Sequence, residues 1–280
     1  MIRLAVLSLV ASVAATAGAS AQSPAQRGGY LVNGVGVCGN CHTPRGAEAA
    51  GKFLAGGTNT FNNPVYTVRG SNLTPDPETG LGKWSDADIK RALVEGKRPN
   101  GQQLAPNMPY PVYGVLTASD LDAIVAYLRS IPAVNNAVQA PVYRGEVKFQ
   151  PYPAAAKPMT DADLNDPVKR GAYLAAVGHC VSCHSRPNEQ GVDFTNGLGA
   201  GGRKFGPQQA VTAANITSHP SKGIGGWSDA ELKKMLTEGV SRDGRKLNAP
   251  MVEFAPYYKT MTDADLGALI AWMRSLPPAE

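Results

Sequence analysis

The sequence has little of what membrane-spanning and nucleic-acid-binding proteins require. Beyond residue 17 it has no apolar run of the roughly 20 residues that cross a bilayer. The net charge is +5, but no cluster of basic residues accompanies it, so we expect no nucleic-acid partner. Aromatic residues make up only 7% of the chain, against 31 glycines and 22 prolines. This composition favours short helices joined by long irregular loops.

The first 21 residues are typical of a secretory signal. Arg3 supplies a basic start, an alanine-rich apolar run covers 4–17, and Ala19-Ser20-Ala21 resembles a cleavage site. The run is too short to span a bilayer, which argues against a retained anchor helix. We predict a signal peptide over 1–21, a periplasmic location, and no transmembrane segment in the mature chain. Peripheral association with a membrane remains open.

Cysteine is scarce, and all four cysteines belong to a Cys-x-x-Cys-His motif that occurs at 38–42 and again at 180–184. On a helical turn, residues three apart share a face, so the two thiols can reach both vinyl groups of one porphyrin. The histidine is then carried beneath the iron as the proximal ligand. We predict two covalently bound haem c groups. The residues assigned to them are Cys38, Cys41, His42, Cys180, Cys183 and His184.

A redox pair, a zinc site and structural disulfides each fit the cysteines less well. A thioredoxin-like pair does not need a histidine directly after both cysteines. A zinc site needs the two pairs close together, whereas Cys38 and Cys180 are far apart in the sequence. Disulfides are compatible with export, but they do not account for two identical motifs that are each followed by matching downstream sequence.

The two motifs lie within a repeat that covers most of the chain. Matching blocks are 27–31 with 170–174, 72–74 with 215–217, 82–89 with 225–232, and 126–132 with 271–277. Serine or threonine followed three residues later by Asp or Glu predicts a capping box, and with it a helix start, at Ser85, Ser228, Thr117 and Thr262. Trp84 and Trp227 precede two of these starts, where each indole either packs in the core or donates to a haem propionate.

Methionines in the repeat supply candidates for the sixth iron ligand. Met108 and Met251 occupy matching positions beside proline, in segments that we expect to be loops. The remaining histidines are His179, which adjoins a haem cysteine, and His219, which has no counterpart in the first half. We therefore predict iron ligation by His42 with Met108 and by His184 with Met251, an arrangement common in electron transfer.

The repeat predicts an all-α architecture with two consecutive domains. We place the first domain at 22–132 and the second at 166–280. The segment 133–165 is rich in proline and alanine, and we expect an extended linker there.

The order of these features resembles the class I cytochrome c fold, present twice: helix, haem motif, glycine-rich loop, capped helix, methionine loop and terminal helix. The Asn-x-Thr and Gly-x-Trp-Ser-Asp blocks are similar to those of cytochrome c subunits that accompany bacterial periplasmic alcohol and gluconate dehydrogenases. The resemblance implies electron transfer from a periplasmic dehydrogenase to a cytochrome, an oxidase or a quinone-linked acceptor. We expect a carrier rather than an enzyme. The alternative is a dihaem enzyme, such as a peroxidase, with one open iron.

Overall fold

The structure, a computed structural model, describes residues 22–189, 191–206 and 210–280. The predicted signal peptide at 1–21 lies outside the described residues. Within the described ranges, no helix combines the length and the apolar character needed to cross a membrane. The described chain is mainly helical and folds as two similar units.

The first unit begins with helix α1, Pro24–Gly29, which continues as a π-helical segment, Tyr30–Val35. Helix α2, Gly39–His42, holds the first haem motif, and a 3-10 turn follows at Gly46–Ala49. Two short strands, β1 and β2, cover Phe61–Asn62 and Tyr66–Val68. Helices α3, α4 and α5 complete the unit at Asp86–Val94, Tyr110–Tyr113 and Ala118–Ser130.

The segment between the units is attached mainly to the first one. Strand β3, Val142–Tyr143, pairs antiparallel with β2 and extends the β1–β2 hairpin to three strands. Two 3-10 turns lie at Pro153–Ala156 and Asp163–Asn165. Near its middle the segment also touches the second unit, where the Gln150 side chain accepts a hydrogen bond from the backbone of Val192.

The second unit repeats the order of the first. Helix α6, Pro167–Val177, leads to α7, Cys180–His184, which holds the second haem motif. Short strands follow: β4 at Pro187–Asn188, β5 at Gly191–Val192, β6 at Lys204–Phe205 and β7 at Val211–Thr212. Helices α8, α9 and α10 then span Asp229–Glu238, Met251–Tyr258 and Asp263–Ser275.

Close packing of the first and last helices builds the core of each unit. At Gly28 in α1, an added Cβ atom would lie 1.9 Å from the carbonyl oxygen of Ala123 in α5. At Gly171 in α6, the corresponding distance to the carbonyl oxygen of Ala268 in α10 is 2.0 Å. Only glycine permits such an approach. The helix pairs therefore hold the haem motifs, which follow α1 and α6, in equivalent positions.

Helix capping follows the sequence prediction at two starts and departs from it at two others. The Ser85 and Ser228 side chains cap α3 and α8, and the acidic residue three positions later bonds back in each case. Thr117 and Thr262 also cap their helices, but Asp120 and Asp265 do not bond back. The prediction of full capping boxes there was wrong, because both carboxylates are engaged by residues from other helices.

Those two carboxylates join the units by a reciprocal exchange. Asp120 accepts two 2.8 Å hydrogen bonds from Arg27 of its own unit and one of 2.5 Å from the Tyr173 hydroxyl of the second unit. Asp265 accepts 2.5 Å hydrogen bonds from Arg170 of its own unit and from the Tyr30 hydroxyl of the first unit. We call this set of contacts the Asp–Tyr exchange. It fixes one unit against the other through charge-assisted hydrogen bonds to two buried carboxylates.

Candidate haem sites

Each haem motif forms one short helical turn that presents its cysteines without a disulfide. None of the four cysteines forms a disulfide. Burial raises the pKa of Cys38 and of Cys180 to about 12, with the neighbouring cysteine of each motif as a smaller cause. Such surroundings favour a neutral sulfur, which a thioether provides. Among the described residues, no group of three or more His, Cys, Asp or Glu could hold a metal ion by itself.

The histidine of each motif is oriented by a backbone carbonyl. His42 Nδ1 donates to Ser71 O at 2.7 Å, and His184 Nδ1 donates to Ala214 O at the same distance. A carbonyl oxygen can only accept, so the proton is on Nδ1 and the Nε2 lone pair is free. Burial lowers the pKa of both imidazoles, although the bond to the carbonyl opposes that shift. Both rings are therefore neutral, as iron ligation requires.

A cavity of about 320 Å³ lies beside the first motif. His42 and Met108 both line it, as do Trp84, Ile89 and Leu128. The fold thus places His42 and Met108, the two ligands predicted for the first iron, in the wall of the same largely apolar cavity. Residues of the second unit close the cavity, and these are His179 and Phe254.

Met108 and Met251 differ in local structure. Met108 lies in the turn before α4, as expected. Met251 is the first residue of α9 and not a loop residue, so that part of the prediction was wrong. Proline precedes Met251, and its missing N–H costs nothing at a helix start. Both methionines are half-buried and pack against the core.

The two histidines outside the motifs have partners of their own. His179 Nε2 lies 2.5 Å from the Tyr113 hydroxyl, and His219 Nε2 lies 3.1 Å from Glu280 Oε1. Each contact occupies one ring nitrogen of its histidine.

Arg98 is a feature of the first site that sequence reasoning missed. Its side chain lines the cavity and donates to the Ser71 hydroxyl at 3.2 Å. Its Nε atom is buried and has no hydrogen-bond partner in the part of the chain that the structure describes. A buried donor of this kind fits a carboxylate, such as a haem propionate. Comparison of the halves could have indicated it, since Ser241 occupies the matching position two residues after a helix-ending glycine.

Each tryptophan at a helix start is half-buried. Trp84 lines the first cavity, whereas the Trp227 ring lies under the Arg242 guanidinium at 5.5 Å from its centroid. The two positions therefore share packing but differ in their polar surroundings.

The repeated Asn-x-Thr blocks hold the chain that follows each terminal helix. Asn72 Oδ1 accepts from the backbone and hydroxyl of Thr74, while Asn72 Nδ2 donates to Val134 O at 2.8 Å. Asn215 makes the same contacts to Thr217, and its Nδ2 donates to Ala279 O at 2.8 Å. Asn72 is only 2% exposed, so these amides act as structural ties.

Comparisons with known proteins agree with this arrangement. The cytochrome c family model matches residues 27–132 and 168–277. The chain is 30% identical over 277 residues to the fructose dehydrogenase cytochrome subunit of Gluconobacter japonicus, covering 92% of this chain and 54% of that protein. It is 30% identical over 278 residues to the gluconate 2-dehydrogenase cytochrome c subunit of Pantoea cypripedii, covering 90% and 59%. The chain thus spans little more than half the length of these relatives.

A relative named "Diheme cytochrome c-type", from Cereibacter sphaeroides, is 26% identical over 253 residues, covering 88% of this chain and 83% of that protein. Together with the two family matches, it confirms the predicted all-α fold and the two covalent haem groups. The relatives also support electron transfer as the general activity. The chain belongs to the cytochrome c family and carries two covalently bound haem c groups.

Proposed function

We propose that this cytochrome works in the bacterial periplasm, where it takes electrons from a dehydrogenase and passes them to a downstream respiratory acceptor. The acceptor is another cytochrome, an oxidase or a quinone-linked protein. Residues 22–132 and 166–280 form the two haem domains, and 133–165 connects them. The signal-like sequence at 1–21 supports export.

In this proposal each haem is attached by two cysteines and held between a histidine and a methionine. The thioether residues are Cys38 and Cys41 in the first domain and Cys180 and Cys183 in the second. His42 and Met108 would ligate the first iron, and His184 and Met251 the second. When bound, each iron supplies a one-electron Fe(III)/Fe(II) couple, whose potential methionine ligation raises.

One observation carries the proposal: His42 and Met108 line the same cavity, and the Ser71 carbonyl leaves His42 Nε2 free. The repeat extends this pairing to His184 and Met251. Two protein ligands leave no open position for a substrate, so we assign electron transfer rather than bond chemistry.

Relatives suggest the class of electron donor. Two of them are subunits of fructose dehydrogenase and gluconate 2-dehydrogenase, and others are subunits of quinone-dependent alcohol dehydrogenases. We therefore expect the donor to be a dehydrogenase that oxidises a sugar, a sugar acid or an alcohol. Docking of such a donor requires only a small surface.

The test mixes oxidised holoprotein with a periplasmic and membrane fraction of its host, together with fructose, gluconate or ethanol. Reduction is followed by visible absorption. Substrate-dependent reduction of both haems, followed by reoxidation when a respiratory acceptor is added, is the expected result. Failure of every substrate to reduce the protein would contradict a donor that oxidises a sugar, a sugar acid or an alcohol. Catalytic consumption of hydrogen peroxide by the reduced protein would instead favour a dihaem peroxidase.

A further inference from the structure

We propose that Tyr113 and His179 form the bridge through which electrons pass between the two haem domains. This inference rests on the proposed function, since it names the internal route of the same electron transfer. We call this pair the Tyr113–His179 bridge.

The bridge is a direct contact between the domains. Tyr113 is the last residue of α4 in the first domain and is 5% exposed. Its hydroxyl lies 2.5 Å from His179 Nε2 of the second domain, and the ring centroids are 5.7 Å apart. Both side chains line the cavity of the first haem site. A residue of the second domain therefore forms part of the wall around the first haem.

The sequence position of His179 connects that wall to the second haem. His179 directly precedes Cys180, which is the first thioether residue of the second domain. The route from the first cavity to the second haem thus crosses one hydrogen bond and the backbone between two adjacent residues.

The backbones that lead into the two motifs also meet at this point. A Cβ atom added to Gly178 would lie 3.3 Å from Val35 O, the carbonyl of the residue that ends the π-helical segment. The two haem attachment segments are thus in close contact.

The bridge breaks the symmetry of the repeat. Val37 occupies the position before the first motif that His179 occupies before the second. Tyr258 matches Tyr113, since each lies four residues before a helix-capping threonine. The Tyr258 hydroxyl, however, donates to Gly178 O within its own domain at 3.1 Å. Both halves therefore contain a buried tyrosine at this position. Of the two hydroxyl groups, that of Tyr113 contacts a histidine ring of the opposite domain, and that of Tyr258 does not.

The bridge transfers no atoms. One electron leaves an Fe(II) in one domain, which becomes Fe(III), and reduces an Fe(III) in the other to Fe(II). The Tyr113 hydroxyl keeps its proton, and neither side chain is oxidised. The pair acts by shortening the gap across which the electron must pass.

The experiment uses the complete holoprotein, reduced in steps, and proton NMR of its haem methyl signals. Electron exchange between the haems broadens the signals of half-reduced molecules, and exchange within one molecule does not depend on concentration. Tyr113→Phe removes the hydroxyl and leaves the ring. His179→Asn removes the ring and keeps a residue that tolerates the left-handed backbone at this position, where φ is 66°. Tyr258→Phe is the matched control.

We expect Tyr113→Phe and His179→Asn to slow the internal exchange severalfold, without a change in the two haem potentials. Tyr258→Phe should leave the exchange rate as in the wild type. Equal exchange rates in the wild type and the three variants would overturn the bridge. A slower exchange that is explained by a changed difference between the two haem potentials would also overturn it. The carrier function is judged separately, by reduction of both haems with a dehydrogenase donor, and it survives either of those failures.

Discussion

Replacing Tyr173 by phenylalanine should weaken the joint between the domains. Tyr173 is fully buried, and its hydroxyl donates to Asp120 Oδ2 at 2.5 Å. The substitution removes one hydrogen bond to a charged group, for which losses of about 1.5–3 kcal/mol are typical. The Asp120 carboxylate keeps both of its bonds to Arg27. We therefore expect the free energy of unfolding to decrease by about 2 kcal/mol.

Tyr30→Phe is the matched substitution in the other half of the Asp–Tyr exchange. Tyr30 donates to Asp265 Oδ2 at the same distance of 2.5 Å, but its side chain is only half-buried. Water can replace the lost partner there, so a smaller decrease of about 0.5–1.5 kcal/mol is expected. Urea unfolding of the holoprotein, followed by circular dichroism, measures both decreases.

A double-mutant cycle tests the reasoning most strictly. In an Asp120→Ala background, the Tyr173 hydroxyl has already lost its acceptor, so Tyr173→Phe should cost much less than in the wild type. Independent sites usually add to within about 0.3–0.5 kcal/mol. Additivity within that margin would refute the claim that Tyr173 acts through Asp120, and so would a larger loss for Tyr30→Phe than for Tyr173→Phe.

Three further predictions concern charge and buried hydrogen bonds. Burial and, as a smaller cause, the hydrogen bond to Asp265 raise the pKa of Tyr30 from 10.0 to about 12. Tyr30 therefore ionises first in the unfolded chain, so the free energy of unfolding should decrease as the pH rises from 10.0 to about 12. Urea unfolding measured at each pH should show a smaller decrease in Tyr30→Phe. Arg98→Gln removes a cation from the first haem cavity and should lower the reduction potential of that haem by tens of millivolts in a redox titration, whereas an unchanged potential would show that Arg98 does not face the haem. Asn72→Ala removes the tie to Val134 and should cost about 1–3 kcal/mol in urea unfolding, more than Asn215→Ala, whose site is less buried.

Local features of the fold could be predicted because their causes lie within a few residues. Ser85 and Ser228 determine where α3 and α8 begin, and Asp166 caps α6 with proline in its first turn. The haem motifs are likewise local, since one helical turn carries both cysteines and the histidine. The predictions of the helix starts and of the haem motifs were stronger because the same pattern occurs in both halves of the chain.

Contacts between distant segments could not be predicted in the same way. Asp120 has the spacing of a capping residue, but the approach of Arg27 and Tyr173 gives its carboxylate a stronger partner. The pairing of β3 with β2 depends on how the connecting segment runs across the first unit. Such outcomes depend on packing between units, which no local sequence pattern specifies.

Residues that differ between the two halves of the repeat also mark the first haem site. Arg98 matches Ser241, and His179 matches Val37, when the halves are aligned. Arg98 and His179 both line the first cavity. Attention to unmatched residues, rather than to matched ones, would have located them before the structure was known.

Carbon monoxide binding to the fully reduced holoprotein is the most direct test of the central claim that both irons have two protein ligands. The gas needs a vacant or weakly held position on Fe(II). The account predicts no change in the visible spectrum, because Met108 and Met251 occupy the sixth positions. Ready binding to one or both haems would contradict the ligand assignment and would favour substrate chemistry at an open iron.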